Sequence, residues 1–155
     1  MSRRKPKIAR TSSVRRLFID PASCGTSCSG WALFEGLELV KSGIVHVEHK
    51  NNIFQRLMEI EETYRDLKFA KTPTEVHFEL LPRRCHIYTH WSVGCIGAAL
   101  WTPDVTLIKD DIAVTSWQKY CDWHGGKERL ADHKGRQNDE LAAIGMGLYY
   151  VNCKR

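Results

Sequence analysis

Three acidic residues stand at the ends of apolar segments, where carboxylates are well placed to bind a divalent metal. Asp20 ends the run Leu17-Phe18-Ile19, and Glu79 ends the run Val76-His77-Phe78. Asp139 begins a C-terminal stretch with the composition of a helix. Carboxylate oxygens are the ligands that Mg²⁺ and Mn²⁺ prefer. The three acids therefore predict a metal site of the kind that catalyses phosphodiester hydrolysis.

The segments around these acids predict an α/β fold with the order βββαβαβα. Strands are expected at 14–20, 30–34, 39–47, 75–80 and 105–108. Helices are expected at 51–70 and 87–101, in a short segment from Thr115 or Ser116 through Tyr120, and at 139–151. Glycine turns favour an antiparallel meander for the first three strands. The helical crossover between later strands requires parallel pairing, so the sheet is expected to be mixed.

This arrangement explains how distant acids can share one site. If strands one and four are parallel neighbours, their carboxyl ends lie about 4.8 Å apart, and Asp20 and Glu79 reach the same point. Crevices at the carboxyl ends of strands are where α/β proteins build sites. Each acid also has an ordinary structural interpretation, as a turn residue, an exposed strand end or the first residue of a helix. Their joint placement favours the site.

The net charge of +5 conceals an asymmetry along the chain. Residues 1–16 contain seven cations and no acid, and two more basic residues end the chain, whereas residues 17–153 carry a net charge of −4. We therefore expect a flexible basic arm at 1–13 and a single folded domain at 14–155. A basic arm beside an acidic body is typical of nucleic-acid-binding enzymes, but also of solvated tails and nuclear or nucleolar addresses.

Two classes of protein are disfavoured by composition. The sequence has no apolar run near the roughly 18 residues needed to span a membrane, and its N-terminus is too basic for a secretory signal. An intracellular, cytoplasmic location is expected. The 6 cysteines are irregularly spaced, which favours reduced thiols over a disulfide framework or a zinc site.

The motifs resemble the RuvC family of Holliday junction resolvases, within the RNase H-like superfamily. The segment 17–23 is similar to the family's first strand with its Ile-Asp-Pro-Gly-Ser motif, and 29–33 to its Thr-Gly-Tyr-Gly strand. The segment 76–79 is similar to the strand with the catalytic Glu, and 139–145 to the final Asp-Ala-Leu-Ala-Ile helix. The short length favours a phage, viral or organellar type, acting in the host cytoplasm if phage-encoded.

The resemblance implies an RNase H-like five-stranded mixed sheet flanked by helices. It also implies a homodimer that cuts opposed strands of branched DNA, with catalysis by Asp20, Glu79 and Asp139 on two Mg²⁺ or Mn²⁺ ions per site. The helix 87–101, which contains Gly94, Gly97 and Ala98, is the expected dimer interface, with packing on the chain's own sheet as the alternative.

The sequence departs from the family at the position of a fourth ligand, three residues before Asp139. Arg136 stands there and cannot bind metal, so Asp132 or His133 is the expected substitute, with Glu140 a weaker one. Candidate DNA contacts lie near the acids and in the arm. They are Arg83, Arg84, Tyr88, Lys127, Lys134, Arg3, Arg4, Lys5 and Lys7.

Three functions remain open from the sequence. The first is resolution of four-way or other branched junctions. The second is an RNase H-like nuclease acting on flaps, forks or RNA–DNA hybrids, because the same metal chemistry serves all of these substrates. The third is a junction-binding protein without catalysis, and Arg136 is the residue that favours it.

Overall fold

The computed structural model describes residues 13–21, 28–48, 52–67, 69, 72–81, 84–123 and 138–154. Its elements follow the order predicted from the sequence. The strands are β1 (Arg15–Asp20), β2 (Cys28–Glu35), β3 (Glu38–His46), β4 (Glu75–Leu80) and β5 (Thr106–Ala113). The helices are α1 (Ile53–Asp66), α2 (Ile87–Leu100), α3 (Val114–Trp123) and α4 (Asn138–Cys153).

The five strands form one mixed sheet in the order β3-β2-β1-β4-β5. β1, β2 and β3 pair antiparallel, and Gly36 makes the tight β2–β3 turn with a φ of 61°, a conformation that glycine adopts at little cost. β1 pairs parallel with β4, and β4 with β5. The predicted mixed sheet, with β1 and β4 as parallel neighbours, is confirmed.

Alternation along β1 divides the core between the two faces of the sheet. Leu17 and Ile19 are fully buried on one side, against a cluster that includes Ile60 of α1 and Ile96 of α2. Phe18 faces the other side and packs with residues of α3 and α4. A strand whose successive side chains are buried on opposite faces needs helices on both. β1 is therefore the central strand of a three-layer domain.

The helix α1 is shorter than the sequence predicts. Asn52 caps its N-terminus by accepting a hydrogen bond from the Phe54 amide at 2.9 Å. Leu67 ends it in an extended conformation, with ψ at 120°, although the apolar periodicity includes this residue. Periodicity identifies the buried face of a helix but not its last turn, which depends on the backbone around the cap.

The strand β5 is longer than the predicted 105–108 and extends to Ala113. Its pairing with β4 shifts between His77 and Glu79, whose partners are Ile108 and Ile112. β5 therefore carries extra residues opposite one step of β4, as in a bulge. The charged run after Ile108 hides this continuation, because it breaks the apolar pattern of a buried strand.

Two arginines counted with the basic N-terminus belong to the sheet. The Arg15 side chain donates to the Thr72 carbonyl at 2.8 Å, and the Arg16 side chain pairs with Glu75 at 2.8 Å. Arg16 also lies over the ring of Tyr150, 5.4 Å from its centre. These two cations hold β1 to its neighbours.

Within the described ranges, the chain has no helix long and apolar enough to cross a membrane. Five cysteines of the described part, Cys28, Cys85, Cys95, Cys121 and Cys153, are free thiols.

Candidate active site

Parallel pairing of β1 and β4 brings the first two acids together. Ile19 is the register partner of Phe78, so Asp20 and Glu79 are the next residues on adjacent strands at the same edge of the sheet. Both side chains are half-buried. The two acids are neighbours, as expected for residues at the ends of adjacent parallel strands. Each acid directly follows a paired residue, with no insertion in either strand.

The third acid is brought in by the approach of α4 to β2. Gly30 is the register partner of Asp20, and a Cβ built on Gly30 would lie 1.9 Å from the backbone oxygen of Asp139. The first turn of α4 therefore rests directly on the backbone of β2, beside Asp20. Only glycine leaves room for this contact, and the contact places Asp139 next to Asp20.

The three carboxyls line one cleft of about 430 Å³. Its remaining described walls come from α3 and from the first turn of α4, and they are mainly apolar. They are Val114, Trp117, Gln118, Leu141 and Ala142. The cleft thus combines three carboxyls with mainly apolar neighbours.

The clustering of the acids changes the protonation of Asp20. Burial, followed by the charges of Glu79 and Asp139 and a hydrogen bond to Asp139, raises the pKa of Asp20 from the ordinary 3.8 to about 8. A carboxyl next to like charges in a poorly solvated place is more stable neutral. The clustering therefore favours the protonated form of Asp20 when the cleft holds no cation.

Glu79 has a hydrogen-bond partner on α3. The indole Nε1–H of Trp117 donates to Glu79 Oε2 at 3.1 Å. Burial raises the pKa of Glu79, and the hydrogen bond from Trp117 opposes this rise because it favours the ionised form. The bond takes one of the roughly four lone-pair positions of a carboxylate, so Glu79 can still accept other ligands.

A buried pair of hydroxyls, those of Ser29 and Tyr64, is hydrogen-bonded to the backbone of Asp20. Ser29 Oγ donates to the Asp20 carbonyl at 2.7 Å and makes a short hydrogen bond with the Tyr64 hydroxyl. Burial raises the pKa of Tyr64 well above its usual range, so the hydroxyl keeps its proton. Because the Ser29 hydroxyl donates its only proton to the Asp20 carbonyl, the Tyr64 hydroxyl is the donor in its hydrogen bond with Ser29. The chain Tyr64–Ser29–Asp20 links α1 to the end of β1.

The donor set fits a hard divalent cation. Three carboxyls in one cleft supply oxygen ligands, and burial followed by the charges of Glu79 and Asp139 raises the pKa of Asp20 there. Among the described side chains, no three from His, Cys, Asp and Glu are already arranged around a common metal position.

The other predicted site residues are distributed differently. Arg84 is exposed, and neither it nor Tyr88 lines the described cleft. Tyr88 instead contacts His86 and Trp91, with ring centres 4.5 and 5.1 Å away. Outside the described residues lie Asp132, His133, Arg136, Arg83, Lys127, Lys134, Arg3, Arg4, Lys5 and Lys7.

Glu140 faces away from the cleft. Its Oε1 accepts a hydrogen bond from Ser42 Oγ of β3 at 2.7 Å, and it is absent from the described cleft lining. Neighbouring residues on a helix point about 100° apart, so Asp139 and Glu140 serve different surfaces. The sequence-based judgement that Glu140 is the weaker substitute ligand agrees with this geometry.

Trp117 is the site residue that sequence reasoning missed. The sequence places it only in a short predicted helical segment, and large aromatic side chains of this kind are mostly buried in the core. Its place in the cleft depends on β5 continuing to Ala113 and leading directly into α3. The Ser and Thr residues before Trp117, which are typical of helix starts, were the one local signal that an element begins beside the site.

Comparison with known proteins identifies the fold. Neither the family models nor the curated protein sequences show a match to this chain. Among solved structures, RuvC from T. thermophilus in complex with a Holliday junction substrate superposes with a TM-score of 0.68 at 13% identity, over 90% of this chain and 95% of that one. A second Thermus thermophilus RuvC structure superposes with a TM-score of 0.64 at 14% identity, over 88% and 92% of the two chains. The chain therefore has the RNase H-like fold of RuvC.

Proposed function

We propose that this protein is a metal-dependent, structure-selective endonuclease that resolves four-way or other branched DNA by paired phosphodiester hydrolysis. The observation that carries the proposal is the meeting of Asp20, Glu79 and Asp139, from three separate elements, in one cleft. The RuvC-like fold supports the choice of substrate, since the superposed T. thermophilus RuvC is bound to a Holliday junction. The compact chain suits a phage, viral or organellar type.

In this proposal, Asp20, Glu79 and Asp139 hold Mg²⁺ or Mn²⁺, two ions per site. Bound divalent ions supply activation of water and stabilisation of the leaving oxygen in phosphodiester hydrolysis. Because a carboxyl binds metal in its ionised form, a bound cation would oppose the rise in the pKa of Asp20. Asp132, in the segment before α4, is proposed as a further ligand in place of Arg136.

Positive charge outside the cleft is proposed to bind the DNA backbone. Lysines and arginines neutralise phosphates and release counterions, which provides affinity without sequence preference. The arm before β1 carries the densest group of cations in the chain. Arg84 follows Glu79 closely in the chain and is exposed, which suits a contact near the cut strand. Arg83, Lys127 and Lys134 complete the proposed contacts.

A homodimer is proposed on the outer face of α1 and α2. Phe54 and Trp91 stack there with ring centres 6.0 Å apart, although 63% and 38% of their surfaces are exposed. They border a groove of about 440 Å³ that continues along Gly94 and Ala98, and a Cβ on Gly94 would meet open space. A second copy would bury this apolar strip, and the two-fold pairing would present two sites to a symmetric junction.

The dimer is tested by its mass in solution. Trp91→Glu places a charge in the proposed contact and leaves the cleft untouched. We expect the wild-type protein to sediment as a dimer and Trp91→Glu as a folded monomer that nicks junctions singly. A monomeric wild type with unchanged paired cutting contradicts the interface.

The function is tested with a synthetic four-way junction in Mg²⁺, beside duplex, flap, fork, hybrid and single-stranded substrates. Asp20→Asn is the inactive control, and Glu140→Gln is the matched active one, because Glu140 faces Ser42 rather than the cleft. Paired nicks confined to the junction support the proposal. Cutting of flaps, forks or hybrids instead supports the alternative RNase H-like nuclease. Tight junction binding without any cleavage supports a silent binding protein.

A further inference from the structure

Among the described residues that line the cleft, Trp117 is the aromatic side chain that contacts a proposed metal ligand directly. Trp117 donates its indole N–H to Glu79 Oε2 at 3.1 Å, across 38 positions of sequence. A tryptophan N–H is a donor only, so the bond has one direction and one partner atom. It orients the carboxylate plane of Glu79 and leaves the second oxygen available.

The indole of Trp117 is positioned by the direct connection between β5 and α3. Glu79 pairs with Ile112, and β5 passes into α3 at Val114 with no intervening loop. Trp117 lies one turn into that helix and therefore returns over the end of β4. The backbone of Trp117 is therefore positioned by β5, the strand that pairs with β4 at Glu79.

The six-membered ring of the indole lies against α4. A Cβ built on Gly145 would lie 2.9 Å from Trp117 Cε3 and 3.0 Å from Cζ3. The ring is therefore in contact with the helix backbone, without space for a methyl group between them. The helix that carries Asp139 also fixes the donor to Glu79, so two of the three carboxyls are set by the same element.

We propose that Trp117 is a positioning residue for Glu79, holding the carboxylate in the orientation that metal binding requires. This inference rests on the proposed function, because it takes Glu79 to be a metal ligand. Partners that orient a metal ligand by hydrogen bonding typically contribute about 10–100-fold in metal affinity or activity. Trp117 touches no reacting atom in this role and acts through Glu79.

The test uses Trp117→Phe, which keeps an aromatic ring against Gly145 and removes the N–H. Trp101→Phe is the matched control, because Trp101 is 60% exposed at the end of α2. Mn²⁺ binding is measured by calorimetry without DNA. We expect Trp117→Phe to weaken it by about 10–100-fold and Trp101→Phe to leave it unchanged. Unchanged Mn²⁺ binding in Trp117→Phe overturns the inference.

Activity supplies a readout that a purely structural role would not produce. Trp117→Phe is expected to lower kcat at standard Mg²⁺, to recover at high Mg²⁺ or Mn²⁺, and to keep the KM for junction DNA. A loss that excess metal does not restore overturns the inference. Gly145→Ala is a second variant for the case in which Trp117→Phe folds poorly. Its methyl group would displace the Trp117 ring and should weaken Mn²⁺ binding in the same way.

The outcomes separate this inference from the nuclease proposal. If the wild type binds Mn²⁺ and Trp117→Phe weakens it, yet no DNA is cut, the nuclease proposal fails and the role of Trp117 stands. If the wild type cuts junctions in Mg²⁺ and Trp117→Phe does so with the same metal dependence, only the role of Trp117 fails.

Discussion

Gly30 and Asp139 are in backbone contact: a Cβ on Gly30 would lie 1.9 Å from the Asp139 carbonyl oxygen and 2.6 Å from the next amide nitrogen. Since Gly30 also pairs with Asp20 across β1 and β2, one glycine sets the spacing of two proposed metal ligands. The last helix can approach the sheet this closely only where the strand has no side chain.

Gly30→Ala should therefore damage the site and the fold together. The methyl group meets backbone rather than a flexible side chain, so the first turn of α4 must move away from Asp20. Overpacking of this kind costs about 1–3 kcal/mol, measured by denaturant unfolding, and cleavage should be lost. Gly97→Ala is the control, because its nearest contact is the Leu107 side chain at 3.5 Å. Full activity in Gly30→Ala would show that the close approach is dispensable.

Removing the charge of Glu79 should abolish chemistry without abolishing binding. Glu79→Gln keeps the shape of the side chain and an oxygen that can accept from Trp117, but it is a poor ligand for a hard cation. We expect cleavage to fall by orders of magnitude, while the junction affinity and the melting temperature stay near wild type. Equal losses of binding and thermal stability would identify Glu79 as structural.

The raised pKa of Asp20 predicts how stability depends on pH in the absence of metal. The folded carboxyl has a pKa of about 8, whereas an unfolded Asp titrates near pH 4. Between these values the folded state holds the proton and the unfolded state does not. The free energy of unfolding therefore falls as pH rises through this window and levels off above about pH 8.

Asp20→Asn removes this contribution. In EDTA the variant should be more stable than wild type at pH 8. The difference should shrink as pH approaches 4, because the unfolded Asp20 then begins to bind the proton that the folded Asp20 already holds. Asp104→Asn, at an exposed position, serves as the control. Added Mg²⁺ should raise the melting temperature of wild type above that of its EDTA sample but should not do so in Asp20→Asn. A difference between variant and wild type that grows toward low pH would reverse the sign and refute the assignment.

The buried hydroxyl pair makes a separate prediction about stability. Tyr64→Phe leaves the Ser29 oxygen without its donor, and an unsatisfied buried polar group costs about 1–3 kcal/mol. We expect a loss of this size in denaturant unfolding, with lower kcat because the Asp20 backbone is held less firmly. Tyr149→Phe, on a half-buried residue of α4, should change stability by less than about 0.5 kcal/mol. Equal effects of the two variants would argue against a special role for the Tyr64–Ser29 bond.

The basic arm should act through salt-dependent affinity. Deleting residues 1–13 removes five cations: Arg3, Arg4, Lys5, Lys7 and Arg10. Each lost phosphate contact should reduce the slope of log affinity against log salt by about 0.9 on duplex DNA. Junction binding is measured from low to high salt, with full-length protein carrying glutamine at these five positions as a second variant. An unchanged slope in both variants would show that the arm does not touch phosphate.

Local patterns in the sequence were sufficient to predict the order of the helices and strands and to identify the three acids that line the cleft. Apolar runs that end in Asp20 and Glu79 identify strand ends, and parallel pairing then places those ends side by side. The last helix, predicted at 139–151, is observed as α4 from Asn138 to Cys153. These inferences succeed because strand alternation, helix periodicity and termination are properties of a few consecutive residues.

Contacts between distant residues were decided only by the tertiary structure. The length of β5 depends on pairing with β4, and its charged run hides that pairing from any local pattern. The contact of Trp117 with Glu79 and the seat of α4 on Gly30 follow from how α3 and α4 pack on the sheet. The Tyr64–Ser29–Asp20 chain spans three elements that are far apart in sequence. Spacing along the chain determines which acids reach the edge of the sheet, but the groups that orient them are set by packing between elements.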